Sequence, residues 1–493
     1  MDGMASRMQA IDADQTIEAY RAAMNDVLAA QKKAFLDEAP VSVKSRINRL
    51  DRTLAILVDH QDALCAAMAQ DFDSRPVLMS KFTDIASAVK ALKFAKKHLR
   101  YWMQPEKRGL EFPLGLLGAS GRIAYQPKGV VGVISPWNFP VNLTFAPLAG
   151  ILAAGNRVMI KPSELTPATS ALMEQLFGQY FDGEEISVIT GGADVGQAFS
   201  SLAFDHLLFT GSTAVGRHVM RAAADNLVPV TLELGGKSPV IVSKSADLEQ
   251  MAERVLTGKL MNAGQICLAP DYLLVPQDRM AACVEALEKT AARLYPQMDR
   301  HPDYTAIINS RHHSRLQAHI KDAQEKGARL SVCGSDGQKQ PDDRASTTMP
   351  LYILSGVDDQ MTVMRDELFG PILPLVGYQS IDEAIAYINA HDRPLGLYYF
   401  GRDQAEERHV IARTTSGGVT VNDVLWHVAH EDLPFGGIGP SGMGSYHGVE
   451  GFKSFSHART IYRQTGFNIT RLIGALPPYG QALAKTLRFQ IRK

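Results

Sequence analysis

Cysteine is scarce: Cys65, Cys267, Cys283 and Cys333 are the only four in 493 residues, widely spaced, with no C-x-x-C pair and no Cys/His grouping. That excludes a disulfide framework and a zinc finger, and the expectation is reduced thiols in a cytoplasmic setting. An excess of one charge is missing as well. With 51 basic and 52 acidic residues the formal net charge is −1, which leaves no electrostatic case for nucleic acid or anionic lipid as the main partner. A secretory signal is not expected, because Asp2, Asp12 and Asp14 precede any apolar run. Internal repeats and low-complexity tracts are also lacking. Only residues 129–156 form a long uncharged stretch, and Pro136, Pro140 and Pro147 with Asn138 and Asn142 would leave polar groups unsatisfied in lipid. No membrane span is expected; the stretch reads as buried core.

What is present is enough apolar residue, 45%, for two or three domains. Residues 15–100 show helical periodicity, and residues 108–127, broken by Gly109, Gly115, Gly118 and Gly121, read as an extended arm or hairpin. Strands are then predicted at 130–135, 157–160, 186–190, 206–209 and 229–234, with helices at 144–154, 167–180 and 214–224. A second alternating unit follows, with strands at 240–242, 272–275, 352–354, 371–376 and 418–421 and helices at 248–261, 280–294 and 314–326. The fold class is therefore α/β, with a doubly wound sheet, a second α/β domain and a boundary near residue 234. The basic tail after residue 464 reads as a packed or frayed helix, with a membrane contact as the lesser alternative.

Chemistry concentrates around Cys267, set in Asn262-Ala263-Gly264-Gln265-Ile266-Cys267-Leu268-Ala269-Pro270. A thiol among small uncharged residues suits a nucleophile, although an unpaired cysteine is more often a small buried hydrophobe. Asn138, between Pro136 and Pro140 at a strand end, either donates to an oxyanion or caps a turn. Lys161 and Glu164 end the next strand, where they bind a ribose or phosphate or form a surface ion pair. Gly211, Ser212 and Gly216 mark a strand-to-helix junction whose free N–H groups can face a pyrophosphate, though the pattern is not G-x-G-x-x-G. Glu233, in an apolar strand before Gly235 and Gly236, is a general base or a partner of Lys237. Glu367 stands beside a Phe369-Gly370-Pro371 turn. His427 and His430 carry no third ligand cluster, so no metal site is expected.

Taken together and in this order, Pro136-Trp137-Asn138-Phe139-Pro140, Lys161-Pro162-Ser163-Glu164, Phe209-Thr210-Gly211-Ser212-Thr213, Leu232-Glu233-Leu234-Gly235-Gly236-Lys237, Gly264-Gln265-Ile266-Cys267 and Glu367-Leu368-Phe369-Gly370-Pro371 resemble the aldehyde dehydrogenase superfamily. Ala269-Pro270-Asp271-Tyr272 and Ser441-Gly442-Met443-Gly444-Ser445-Tyr446-His447-Gly448 resemble its class 3 branch, which includes fatty and aromatic aldehyde enzymes. The resemblance implies a Rossmann-type cofactor domain over 1–107 and 128–233, a catalytic domain over 234–435, a small β oligomerisation arm over 108–127 and 436–465, and a tail over 466–493. It implies Cys267 as nucleophile, Glu233 as base and Asn138 with the Cys267 N–H as oxyanion donors. Pro136, Trp137, Lys161, Ser163, Glu164, Gly211, Ser212, Gly216, Leu234, Gly235, Glu367 and Phe369 would hold NAD, with NADP as the alternative. A homodimer is expected, the arm near 108–127 pairing with the other subunit's sheet, and a tetramer is the alternative. Expected substrates are aromatic, such as coniferyl aldehyde, or else medium- to long-chain fatty aldehydes, entering past Trp426, His427, Tyr398 and Phe455. A coenzyme A-acylating variant, a thiol esterase and a non-catalytic member are the rivals.

Overall fold

The computed structural model describes residues 16–112, 114–334 and 347–492. Asp2, Asp12 and Asp14, on which the reading of the N-terminus rests, lie outside the described residues, as do residue 15 and the start of the 1–107 segment.

Val130–Ile134 and Arg157–Lys161 consist mainly of β-branched and long apolar residues buried on both faces, the pattern of interior parallel strands. They lie in a sheet ordered Gly442–Met443, Val230–Leu234, His206–Gly211, Val130–Ile134, Arg157–Lys161, Ile186–Val188. Leaving out the Gly442–Met443 edge, which runs antiparallel, the remaining strands are parallel and follow the doubly wound order 3-2-1-4-5 by appearance in the chain. The order reverses between Val130–Ile134 and His206–Gly211, so the crevice at their carboxyl ends is where such sheets bind ligands. Asn142–Ala154, apolar nearly all round, fills the core over this sheet and accounts for the uncharged stretch. The helix Pro167–Tyr180 draws its cap from a distance: Asp71 accepts from the N–H groups of Ala168 (2.9 Å) and Thr169 (2.8 Å), while the preceding Thr166 supplies no side-chain cap.

After Leu234 three residues, Gly235, Gly236 and Lys237, carry the chain into a second sheet at Ser238–Val242. Its order is Arg329–Cys333, Leu351–Ser355, Ile372–Tyr378, Pro270–Pro276, Ser238–Val242, Gly396–Phe400, Gly418–Val421, parallel except for the first pair. Gly396–Phe400 has no sequence prediction behind it. Its Gly-Leu-Tyr-Tyr-Phe run is buried throughout and so shows no polar alternation.

A third, antiparallel sheet joins Glu106–Arg108, Ser120–Pro127 and Ser456–Arg463. Residues 108–127 contribute the central strand of this sheet: over Gly121–Ile123 both edges of Ser120–Pro127 are taken within the chain, and the outer edges belong to Glu106–Arg108 and Ser456–Arg463. The tail carries helices Ile469–Leu472 and Gln481–Gln490, the latter burying none of its residues. Among the described residues no helix is long and apolar enough to cross a membrane.

Candidate active site

The helix Leu248–Leu260 runs into a strained loop in which Asn262, Ala263 and Gly264 have φ of 50°, 53° and 76°. Left-handed backbone costs a non-glycine residue about 1–2 kcal/mol, so the surroundings must hold it. Gln265 does much of this. Its amide nitrogen donates to the carbonyls of Asn262 and Ala306, both at 3.0 Å, and its oxygen accepts from the Ile308 N–H at 3.0 Å. Glycine is needed at 264, where a Cβ would lie 2.5 Å from the Gly370 carbonyl oxygen. The loop delivers Cys267, a half-buried free thiol, to the mouth of the second sheet. The backbone N–H groups of Cys267 and Leu268 approach its sulfur.

Asn138 comes from the crevice of the first sheet and meets this loop: its Nδ2 donates to the Gln265 carbonyl at 3.1 Å, and its own carbonyl accepts from Asn262 Nδ2 at 3.2 Å. Behind it stands a buried ion pair invisible to the sequence reading. Arg75 donates to the Asn138 carbonyl (2.8 Å) and to Asp84 (2.6 Å), both side chains being fully buried. Asp84, on the π-helical turn Lys81–Ala86, also accepts from the N–H groups of Val141 and Asn142. Burial pushes the Asp84 carboxyl up, and the guanidinium and these N–H groups oppose it. The Pro136–Asn142 turn is thus anchored at Asn138 and at Val141 and Asn142 after it.

Glu233 sits in the last turn of pleat of Val230–Leu234, 3% exposed, and neither carboxylate oxygen has a hydrogen-bond partner. Lys237 is not its partner. That ammonium is taken by Asp271 (2.5 Å) and by the carbonyls of Val363 (2.7 Å) and Asp366 (2.9 Å). Burial alone lifts the Glu233 carboxyl well above the ordinary range. Burial, then Glu367 and Glu233, push the Cys267 thiol up to about 12, which places both acids within electrostatic reach of the sulfur. Tyr446, fully buried, feels Glu233 and Cys267 together, and Tyr398 donates from below to the Leu268 carbonyl at 2.6 Å. A thiol, a desolvated acid and an amide donor from three distant segments therefore share one space.

Across the crevice, Thr213–Ala224 starts with Ser212, whose Oγ accepts from the Val215 N–H at 3.4 Å. Gly216 lets this helix close on the sheet, since a Cβ there would lie 2.6 Å from Leu234 Cδ2. Gly211 likewise leaves no room for a Cβ beside the Phe209 ring. Lys161 donates to the Pro162 carbonyl (2.8 Å) and lies 3.7 Å from the half-exposed Glu164, while Ser163 Oγ accepts from the Leu165 N–H. Trp137, following Pro136, meets Phe369 edge to face at 5.3 Å, and Phe369 has φ of 49°. The Glu367 carboxylate reaches over Gly235, where a Cβ would lie 2.0 Å from it, and its Oε1 is buried without a partner. An open helix N-terminus, glycines where backbone must be approached and an orphaned acceptor fit a dinucleotide.

The expected funnel is only partly assembled. Trp426 is 54% exposed, and His427 Nδ1 pairs with Thr420 Oγ1 at 2.8 Å while its ring lies between Tyr398 and Phe435. Phe455 and Tyr398 are corrections: both are fully buried, Phe455 against the His206 ring, and belong to the core. Among the described residues no three His, Cys, Asp or Glu are grouped to hold a metal.

Comparison with known proteins agrees with this chemistry. The model of the aldehyde dehydrogenase family, whose members use NAD(P), matches residues 7–461. The chain is 54% identical to a probable coniferyl aldehyde dehydrogenase of Caulobacter vibrioides, over 97% of this chain and 98% of that one. It is 49% identical to the coniferyl aldehyde dehydrogenase of a Pseudomonas species, over 93% and 94%. The solved substrate-bound structure of Staphylococcus aureus AldH superposes with a TM-score of 0.87 at 36% identity, covering 94% of this chain and 99% of that one. The chain belongs to the aldehyde dehydrogenase family and is an oxidoreductase acting on aldehydes.

Proposed function

We propose that this enzyme oxidises an aromatic aldehyde of the coniferyl type to its carboxylic acid through a covalent intermediate on Cys267. The observation that carries the mechanism is the Glu233 carboxylate, buried and unpartnered beside the thiol. The Cys267 thiol releases its proton to water as its sulfur adds to the aldehyde carbon, and Asn138 Nδ2 with the Cys267 N–H donates to the resulting oxyanion. The dinucleotide that the residues across the crevice would hold would supply the hydride acceptor, so that the Cys267 adduct could lose hydride and become a thioester. Glu233 then removes a proton from water, which attacks the thioester carbon; the C–S bond breaks, the proton on Glu233 passes to the departing Cys267 sulfur, and the carboxylic acid is released. A carboxylate whose pKa is raised by burial is a stronger base than free glutamate, so desolvation of Glu233 serves this step.

In this reading residues 16–107 and 128–233 bind the dinucleotide, residues 234–435 carry the catalysis, and residues 108–127 and 436–465 form the arm and bridging region, with 466–493 as a tail. Lys161, Ser163 and Glu164 meet the adenosine ribose, Gly211, Ser212 and Gly216 the pyrophosphate. Pro136, Trp137, Leu234, Gly235, Glu367 and Phe369 hold the nicotinamide half. Glu164 repels a 2′-phosphate, which favours NAD over NADP. The open edge of Ser456–Arg463 supports a homodimer, and four free cysteines support a cytoplasmic location. The aromatic preference is supported by the names of the two relatives above. The test is kcat/KM for coniferyl aldehyde, benzaldehyde, hexanal and decanal with NAD and with NADP. The highest value is expected for coniferyl aldehyde with NAD; a higher value for decanal would assign the enzyme to fatty aldehydes instead.

A further inference from the structure

The helix that leads into the nucleophile loop carries a lysine for which the mechanism has no use. Lys259, in the last turn of Leu248–Leu260, is fully buried, and its Nζ has no hydrogen-bond partner. A buried ammonium costs several kcal/mol unless a negative charge compensates it.

The charges around it sort themselves by elimination. Lys237 is spent on Asp271 and two carbonyls. Arg315 donates to the backbone carbonyls of Glu367 (3.3 Å) and Leu368 (2.6 Å), leaving the Glu367 carboxylate to others. Asp271 uses one oxygen on Lys237 and the other on the Leu368 N–H at 3.0 Å. Among the described residues of this corner, one cation and one acidic oxygen then remain unmatched: Lys259 Nζ and Glu367 Oε1. The backbone joins the two. A Cβ built on Gly264 would lie 3.0 Å from the Lys259 carbonyl oxygen and 2.5 Å from that of Gly370, so a single glycine separates the end of the helix from the Glu367–Gly370 turn.

We infer that Lys259 is the buried counter-cation of Glu367, a positioning residue whose charge shifts this carboxyl toward its ionised form, in which it can accept the hydroxyls of the cofactor's nicotinamide ribose. The inference rests on the placing of Glu367 at the nicotinamide half proposed above, and takes the ribose hydroxyls as what its carboxylate meets there. Burial and Asp271 push the Glu367 carboxyl up to about 8, with the Gly236 N–H, Lys237 and Arg315 opposing them. Burial pushes the Lys259 ammonium down to about 8, with Asp271 and Glu367 holding its proton on and Lys237 driving it off. Without the Lys259 charge the carboxyl stays protonated to higher pH and accepts fewer hydrogen bonds. NAD binding should then tighten as pH rises, a dependence that a merely space-filling lysine would not control.

The experiment is calorimetric titration of the whole enzyme with NAD between pH 6 and pH 9, for Lys259→Met, Glu367→Gln and the double variant, with Lys259→Gln replacing Lys259→Met should the latter fold poorly. Expected for the lysine variant is a Kd weaker by about tenfold at pH 7 that recovers toward the wild-type value at pH 9. In the Glu367→Gln background the same substitution should change Kd less than about twofold. A folded Lys259 variant with wild-type affinity and a flat pH profile, or effects that simply add in the double variant, would overturn the pairing. Wild-type affinity in Glu367→Gln alone would remove the ribose assignment, and the inference with it.

Discussion

Replacing Glu233 by glutamine should stabilise the protein and stop it turning over, for one and the same reason. Glu233 is buried with neither oxygen partnered, and burial holds its pKa well above 4.5 in the folded chain. A carboxyl with a higher pKa folded than unfolded binds more protons when folded. Stability therefore falls as pH rises above about 4.5, by about 1.4 kcal/mol per pH unit, until the folded pKa is passed, and is level beyond it. Below the unfolded pKa both states are protonated and the penalty vanishes. Glutamine keeps the volume and cannot ionise. Thermal melts of both proteins at a series of pH values should coincide near pH 4.5 and separate in favour of Glu233→Gln toward pH 8. Steady-state turnover of the same variant should drop by about 10²- to 10⁴-fold through loss of the base. Stopped-flow absorbance should still show about one reduced cofactor per site in the first turnover, because thiol addition and oxidation precede hydrolysis. A melting difference that does not grow with pH, or steady-state activity within tenfold of wild type, would refute the reasoning.

The remaining expectations concern the scaffold of the site. Gly264→Ala puts a Cβ 2.5 Å from the Gly370 oxygen at φ of 76°; a loss of about 1–3 kcal/mol is expected with a fall in kcat, read from denaturant melts and steady-state rates. Asp84→Asn leaves the fully buried Arg75 guanidinium without its counter-charge, so about 3–5 kcal/mol of stability should go, together with the orientation of Asn138; an unchanged melting temperature would show that the pair is dispensable. Glu164→Gln should raise kcat/KM with NADP several-fold relative to NAD, through removal of the charge that opposes a 2′-phosphate; an unchanged ratio would place the discrimination elsewhere.

The strand and helix alternation was legible because each element of the doubly wound sheet is short, buried and bounded by glycine or proline, and each site motif sits at one strand end. Cys267, Glu233 and Asn138 could be singled out from local chemistry joined to a family resemblance. Their supports could not. Asn138 and Gln265 are 127 residues apart in the chain, and nothing local in the sequence marks Arg75, Asp84 or Lys259 as buried, because a charged side chain is ordinarily solvated. Gly396–Phe400 escaped for the opposite reason: buried on all sides, it lacks the alternation that reveals a strand. Phe455 and Tyr398 show a further limit. An aromatic residue near a motif reads the same whether it lines a funnel or packs in the core, and which edge of a strand is free depends on a partner more than 300 residues away.

The most direct measurement is rapid-quench mass spectrometry of Glu233→Gln mixed with aldehyde and oxidised cofactor. Covalent catalysis at Cys267 predicts an acyl group on the peptide that bears Cys267, close to one per subunit and absent from Cys267→Ala. Turnover without such an adduct, or an acyl group carried by Cys65, Cys283 or Cys333 instead, would contradict it.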